Sequence, residues 1–393
     1  MIDLFNRLIL FMVIPSKSSI ILKLYYIYHQ LLWDEHLMNK YRWGLLAFIA
    51  ISLATLVLLF ISDDVQLTGF INSLKQFDLL YLPLALIFLA LHLLSDGVRL
   101  KILAWGMGES MKVRTGVVAG LANEFLSAIT PFQSGGQPFE IFIFRRSGLP
   151  LGKCGVISYF RMATSLVFLS VTGSFTLIYY SELTRITSLN YFYIYGAVFI
   201  SYFIALTYFT VYKPRFAKKI TFIGMGFLKK IKVMKEETYF SKQKYIIKEV
   251  NTFNHHIRSF FFKQQGLIAL STLVTFFTWT FKYLIAYFLL LGLGVQTSIL
   301  EVIFYQSAIH FVNYAIPTPG ASGTSEWVAN SIFRFLSDDL NNKVLLNSFV
   351  TLWRFATYHI IVIIAGFATL GSLREWIKSK EKEEEEKSYK TVA

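Results

Sequence analysis

Six charged side chains lie inside segments that are otherwise apolar enough to cross a membrane: Glu124, Glu140, Arg161, Lys282, Glu326 and Arg354. A charge at the centre of a membrane helix costs roughly 2.5–3.5 kcal/mol on insertion scales, so each of these needs a partner or a wet cavity. A helical rise of about 1.5 Å per residue converts position into depth. On that scale Glu326 and Arg354 both fall near mid-membrane, where they can pair. Arg161, Glu124 and Glu140 reach comparable depths nearer the other face. Two roles are open to such groups. They can lock helices together, or they can line a polar cavity that takes a charged headgroup.

Two short motifs stand beside these charges. Thr130-Pro131-Phe132-Gln133-Ser134-Gly135-Gly136-Gln137-Pro138 and Pro317-Thr318-Pro319-Gly320-Ala321-Ser322-Gly323-Thr324-Ser325-Glu326 each read Thr-Pro-x-x-x-Gly. No other Thr-Pro pair occurs in the sequence. Each follows an apolar segment that starts like a membrane helix, Thr115–Thr130 or Leu300–Ile316. Proline removes a backbone donor and clashes with the preceding turn, so both helices should stop there. An interrupted helix is tolerated at membrane depth only against protein or a watery cavity. Gly135, Gly136, Gly320 and Gly323 allow close backbone approach. The return helices after them would present free amides and a positive dipole end to an anion, a lipid phosphate above all. A packing turn with no ligand is the plainer reading.

The elements that must position these residues follow from hydropathy and loop charge. The 393 residues are 55% hydrophobic and 17% aromatic, with mean hydropathy +0.52. This is the composition of an all-α polytopic membrane protein. Six full spans are expected: Trp43–Ile61, Leu79–Arg99, Cys154–Tyr180, Tyr191–Tyr212, Gly266–Leu291 and Val344–Leu370. The basic groups at Lys40 and Arg42, at Arg99–Arg114, and through the 213–263 loop mark the cytoplasmic side. Arg145, Arg146 and Lys153 belong there too. That count is met if 115–146 is a re-entrant hairpin from the cytoplasm and 300–336 one from outside. The expected architecture is six spans plus two oppositely directed re-entrant helical hairpins, an inverted repeat. Eight plain transmembrane helices are the alternative.

The expected organisation is a cytoplasmic extension 1–42, a first membrane half 43–212, a basic cytoplasmic loop 213–263, a second half 264–374 and a charged tail 375–393. Met38 directly precedes the first long apolar run and is a candidate start. Both termini are placed in the cytoplasm and the protein in the cell membrane. The loop 213–263 opens with Phe216, Ile220, Ile223, Phe227 and Ile231 at helical spacing among lysines, an interfacial helix suited to anionic lipid headgroups. The net charge of +14 has this explanation, and nucleic acid is not expected as a partner. With Cys154 alone, no internal disulfide is possible. His255 and His256 are adjacent and do not share a helix face. The residues define no catalytic constellation, metal site or cofactor, so an enzyme is not expected. Membrane lipids are the expected partners, and self-association into a homo-oligomer is left open.

With both Thr-Pro motifs, Glu326 and the stretch Leu352-Trp353-Arg354-Phe355-Ala356-Thr357-Tyr358, the chain resembles the lysylphosphatidylglycerol synthase transmembrane region, a family of flippase-like integral membrane proteins. The resemblance covers roughly 38–375. It implies movement of a lipid between leaflets, with the glycines, Gln137, Glu326 and Arg354 lining the pathway. Arg161 matches a polar arginine in the span after the first motif. One departure is Thr324, where a second glycine is usual. A second is that only the tail 375–393 follows the last span, so the synthases' soluble aminoacyl-transferase activity is not expected here. The candidate substrate-binding set is Gln133, Gly135, Gly136, Gln137, Glu140, Arg161, Gly320, Gly323, Glu326, Arg354 and Tyr358. The substrate is expected to be a phospholipid or glycolipid headgroup held between the two broken helices. A membrane-embedded transferase acting on a lipid-linked substrate and a non-transporting scaffold remain as other readings.

Overall fold

A computed structural model describes residues 67–179 except 131, 132 and 134, residues 236–372 except 314–318, 322 and 370, and isolated positions between 194 and 226. The N-terminal extension, the Trp43–Ile61 span, most of the Tyr191–Tyr212 span, most of the expected interfacial helix at 216–231 and the charged tail lie outside the described residues. Among the described residues every regular element is helical.

The chain runs α1 (Leu67–Lys75), α2 (Tyr81–Gly106), α3 (Val113–Ile129), α4 (Gly136–Arg146), α5 (Leu151–Tyr179), α6 (Glu236–Lys263), α7 (Gln265–Gly292), α8 (Ile299–Asn313), α9 (Thr324–Phe333) and α10 (Lys343–Thr369). Four of these, α2, α5, α7 and α10, are long and apolar enough to cross a membrane. They coincide with four of the expected spans. Their outward faces carry bare apolar side chains such as Leu86, Leu273 and Phe367. That pattern suits hydrocarbon surroundings, where every backbone group is already bonded within its own helix.

Both Thr-Pro motifs fall where helices stop. α3 ends at Ile129 and α4 begins at Gly136, with Pro138 in its first turn. A proline there loses no hydrogen bond, because first-turn amides have no partner within the helix. α8 ends at Asn313 and α9 begins at Thr324. α4 packs back against α3, and α9 against α8. α10 starts from Asn342, whose side-chain oxygen accepts the amides of Val344 (2.9 Å) and Leu345 (3.4 Å), the usual work of an N-cap asparagine.

Each interrupted pair has its own packed core. Around α3 and α4 it is built from Leu103, Ala119, Phe142, Phe144, Ile157 and Phe260. Around α8 and α9 it is built from Leu289, Ile309, Val328, Phe333, Phe349 and Trp353. Lipid tails are as apolar as leucine, so between membrane helices close contact replaces the hydrophobic effect as the adhesive force. The α2–α3 crossing follows that rule. A Cβ on Gly116 would lie 2.5 Å from the Gly97 carbonyl oxygen. Only glycine lets the two backbones meet there, and the meeting point sits beside Asp96.

α6 lies within the 213–263 region expected as a basic loop. It forms a helix of 28 residues that buries Ile257 and Phe260 and packs against α5.

The crossing gives a direct test. Gly116→Leu should destabilise the protein by about 1–3 kcal/mol through overpacking, seen as a lower Tm in detergent. Gly266→Leu, where an added Cβ meets nothing within 4 Å, should leave Tm unchanged. Equal Tm for the two variants would contradict the crossing.

Candidate functional site

A cavity of about 670 Å³ opens between the two interrupted pairs, lined from one side by Asp96, Glu140 and Arg161 and from the other by Gly320, Arg354 and Tyr358. Most of the residues that line it are charged or polar. The groups sort into two ion-paired clusters and a middle strip.

The first cluster centres on Arg161. Its NH2 donates to Asp96 Oδ2 at 2.7 Å and its NH1 to Glu140 Oε2 at 3.2 Å. Asp96 also pairs with Arg99, one helical turn further along α2. Arg99 NH1 in turn donates to the hydroxyls of Ser165 (2.9 Å) and Thr275 (3.2 Å). Glu140, wholly buried, accepts from Asn123 Nδ2 at 2.8 Å and from Ser158 Oγ at 3.2 Å. All three bonds reach the same oxygen, Oε2. Its Oε1 is buried with no hydrogen-bond partner among the described residues. In a native interior such an atom calls for a ligand or an ordered water.

The second cluster centres on Arg354. Nε donates to Glu326 Oε1 at 2.7 Å and NH2 to the Gly320 carbonyl at 3.2 Å. The guanidinium lies over the Tyr358 ring, 4.2 Å from its centroid. Glu326 and Arg354 are only 1% and 6% exposed. The other Glu326 oxygen accepts the Gly323 amide at 2.7 Å, which ties down the start of α9. The matching amide in the first motif, Gly135, donates to Thr130 Oγ1 at 2.9 Å. The leading amide of each motif therefore already has an acceptor from its own motif.

Backbone geometry at the two turns is alike. Gln133 and Ala321 both have φ of 54°, in the left-handed region that costs a residue with a Cβ roughly 1–2 kcal/mol. Gly320, at φ 58°, lies directly against the Tyr358 hydroxyl, where a side chain would collide. That hydroxyl donates to the Ala128 carbonyl at 3.4 Å. Tyr358 thus touches the end of α3 and the second turn together. Just past Arg354 the helix α10 loosens, and the Ile360 amide bonds back to Phe355, five residues earlier. Single π-turns of this kind collect at functional sites.

The middle strip holds His92, Trp279, Lys282 and His310. His92 Nδ1 lies 3.0 Å from the Thr278 carbonyl, and His310 Nδ1 lies 3.0 Å from the Gln306 carbonyl. Each contact has the geometry of a donated N–H. The Lys282 ammonium sits over Trp279, 5.4 Å from the ring centroid.

Among the residues singled out from sequence, Gln133, Gln137, Glu140, Arg161, Gly320, Arg354 and Tyr358 line the cavity. Gly135, Gly136, Gly323 and Glu326 hold the turns behind it. Gln137 rests against Met162. Asp96, Arg99, His92, Trp279 and His310 were not singled out. Arg99 reads in sequence as the start of a basic loop, but α2 continues to Gly106 and Arg99 is 3% exposed. The available signal was spacing: His92, Asp96 and Arg99 are four and three residues apart, hence on one helical face.

A helical integral membrane protein with two Thr-Pro turns facing one charged cavity is the class these features define. The chain belongs to the lysylphosphatidylglycerol synthase TM region family, which it matches over residues 46–366. It is also similar to a UPF0104 membrane protein of Archaeoglobus fulgidus, at 23% identity over 341 residues, covering 84% of this chain and 97% of that relative.

The second cluster predicts a mutational pattern. Arg354→Ala or Glu326→Ala strands one buried charge and should cost about 3–5 kcal/mol. Glu326→Leu combined with Arg354→Leu should recover most of the lost Tm, because both charges leave together. Additive losses in this double-mutant cycle would show that the two residues do not interact energetically.

Proposed function

We propose that this protein binds a lipid by its headgroup and moves it between the leaflets of the cytoplasmic membrane. The observation that carries the reading is a charged cavity faced by both Thr-Pro turns. A polar cavity at membrane depth gives a headgroup a route that hydrocarbon denies it, and the exposed apolar helix faces leave the acyl chains in lipid. Family membership supports the same reading. In this view α3–α4 and α8–α9 are re-entrant hairpins entering from opposite faces, the two halves form an inverted repeat, and both termini are cytoplasmic. The roles assigned are positional. Arg354 and Glu326 hold the second turn, Arg161 and Glu140 hold the first, and Tyr358 couples them. No bond is made or broken in the substrate.

Two measurements test this. Purified protein in liposomes should accelerate exchange of a fluorescent phospholipid between leaflets without added nucleotide. Rates equal to protein-free vesicles for every lipid class would end the transport reading in favour of a scaffold, and a new glycosyl or acyl product would favour a transferase. For the topology, Ser147→Cys and Asn341→Cys, both at exposed positions, should react with an impermeant maleimide from opposite sides of the membrane. The native Cys154 is buried and should stay silent. Labelling of both from the same side would exclude oppositely directed hairpins.

A further inference from the structure

Among the described residues the charges around the cavity balance. Four carboxylates (Asp96, Glu124, Glu140 and Glu326) accompany four cations (Arg99, Arg161, Lys282 and Arg354). Three of the four cations are held by three of the four acids: Arg99 and Arg161 by Asp96, Arg161 also by Glu140, and Arg354 by Glu326. Two charges are left over. Lys282 is 8% exposed, faces the cavity and forms no ion pair among the described residues. Its ammonium lies over the face of Trp279. Glu124, half-buried on α3, also faces the cavity and takes part in no hydrogen bond or ion pair among the described residues. One cation and one anion therefore face the same space without touching.

A buried ammonium with no carboxylate is costly unless something anionic arrives. A net anion would satisfy Lys282 and repel Glu124. An uncharged sugar would satisfy neither charge fully. A group that carries both signs, a few ångströms apart, meets both and leaves the cavity neutral.

We propose that Lys282 and Glu124 form a dipolar subsite for a zwitterionic headgroup, with a phosphodiester on Lys282 beside Trp279 and an ammonium on Glu124. This deepens the lipid-translocation reading and rests on it. The subsite is formed by side chains of α7 and α3 and not by the starts of α4 and α9, whose leading amides are already bonded.

The test compares phosphatidylethanolamine, phosphatidylglycerol and a monoglycosyl diacylglycerol, in lipid-dependent thermal shift and in leaflet exchange. Wild type should respond most to phosphatidylethanolamine. Lys282→Gln should weaken the response to both phospholipids about tenfold, the worth of one charge-assisted hydrogen bond. Lys282→Arg should retain it. Glu124→Gln should keep the phosphatidylglycerol response and lose the preference for phosphatidylethanolamine. If Lys282→Gln fails to fold, Glu124→Gln decides alone by that preference. Soluble phosphoethanolamine and inorganic phosphate separate a free anion from a lipid headgroup: stabilisation by phosphate as strong as by lipid would overturn the proposal. So would a best response to the glycolipid. A Lys282→Glu, Glu124→Lys swap that keeps wild-type Tm and wild-type lipid preference would show a purely internal pair, and this too would overturn it. Headgroup-selective binding without faster leaflet exchange would leave the subsite standing and remove transport. Exchange that is equally fast for all three lipids and unchanged by Lys282→Gln would do the reverse.

Discussion

Buried charge must be neutralised where it sits, and that requirement organises this protein. Removing an ion from water is expensive, and in a low-dielectric interior the cost is met only by a close counter-ion with its remaining hydrogen bonds satisfied. Arg161 meets it by reaching Asp96 on α2 and Glu140 on α4 from its own place on α5. Arg354 meets it by joining α10 to the start of α9. Each arginine is a tie between elements that the chain order keeps apart. The helices that carry them cannot shift independently without separating charges.

Interrupted helices impose the second demand, on backbone groups. The two motifs meet it by different means. In the first, the Thr130 hydroxyl donates to the Leu126 carbonyl at 2.6 Å and accepts the Gly135 amide, so one side chain serves both ends of the break. In the second, a glutamate takes the Gly323 amide and an arginine from another helix takes the Gly320 carbonyl. In the first turn these bonds come from Thr130 of the motif itself. The second depends on α10, and α10 carries the loosened turn at 355–359 directly after Arg354. Strain at a non-glycine φ of 54°, present in both turns, persists only where surrounding contacts over-determine it.

Much of this was legible in the sequence because it rests on strong local signals. Helices α2, α5, α7 and α10 announce themselves by hydropathy, and the breaks by proline and glycine. The Glu326–Arg354 meeting followed from depth alone, since two charges at the same level of a bilayer have few other partners. What stayed hidden was tertiary. Asp96 and Arg99 sit at the end of an apolar run, where a charge ordinarily marks a loop. Only the packing of α2 on α3, allowed by Gly97 and Gly116, shows that they face inward. His310 and Trp279 look like ordinary members of apolar helices, and their place on the cavity wall depends on how α7 and α8 are rotated. The charge of the 213–263 stretch reads as loop, yet α6 lies within it and buries Ile257 and Phe260 against the bundle.

A site that binds and releases must hold its ligand firmly enough to admit it and loosely enough to let it go. The division of charges fits that need. Most of the ionised groups are committed to one another, which gives the cavity a shape and a fixed field without making it a trap. Among the described charged groups around the cavity, Lys282 and Glu124 are the two left without an ion-pair partner. Had all four cations been unpaired, an anionic headgroup would be held by several strong contacts at once and would leave slowly. With every one paired, the cavity would have shape without selectivity. The paired arginines fix the walls, so on the proposed reading recognition falls to two side chains, Glu124 on α3 and Lys282 on α7.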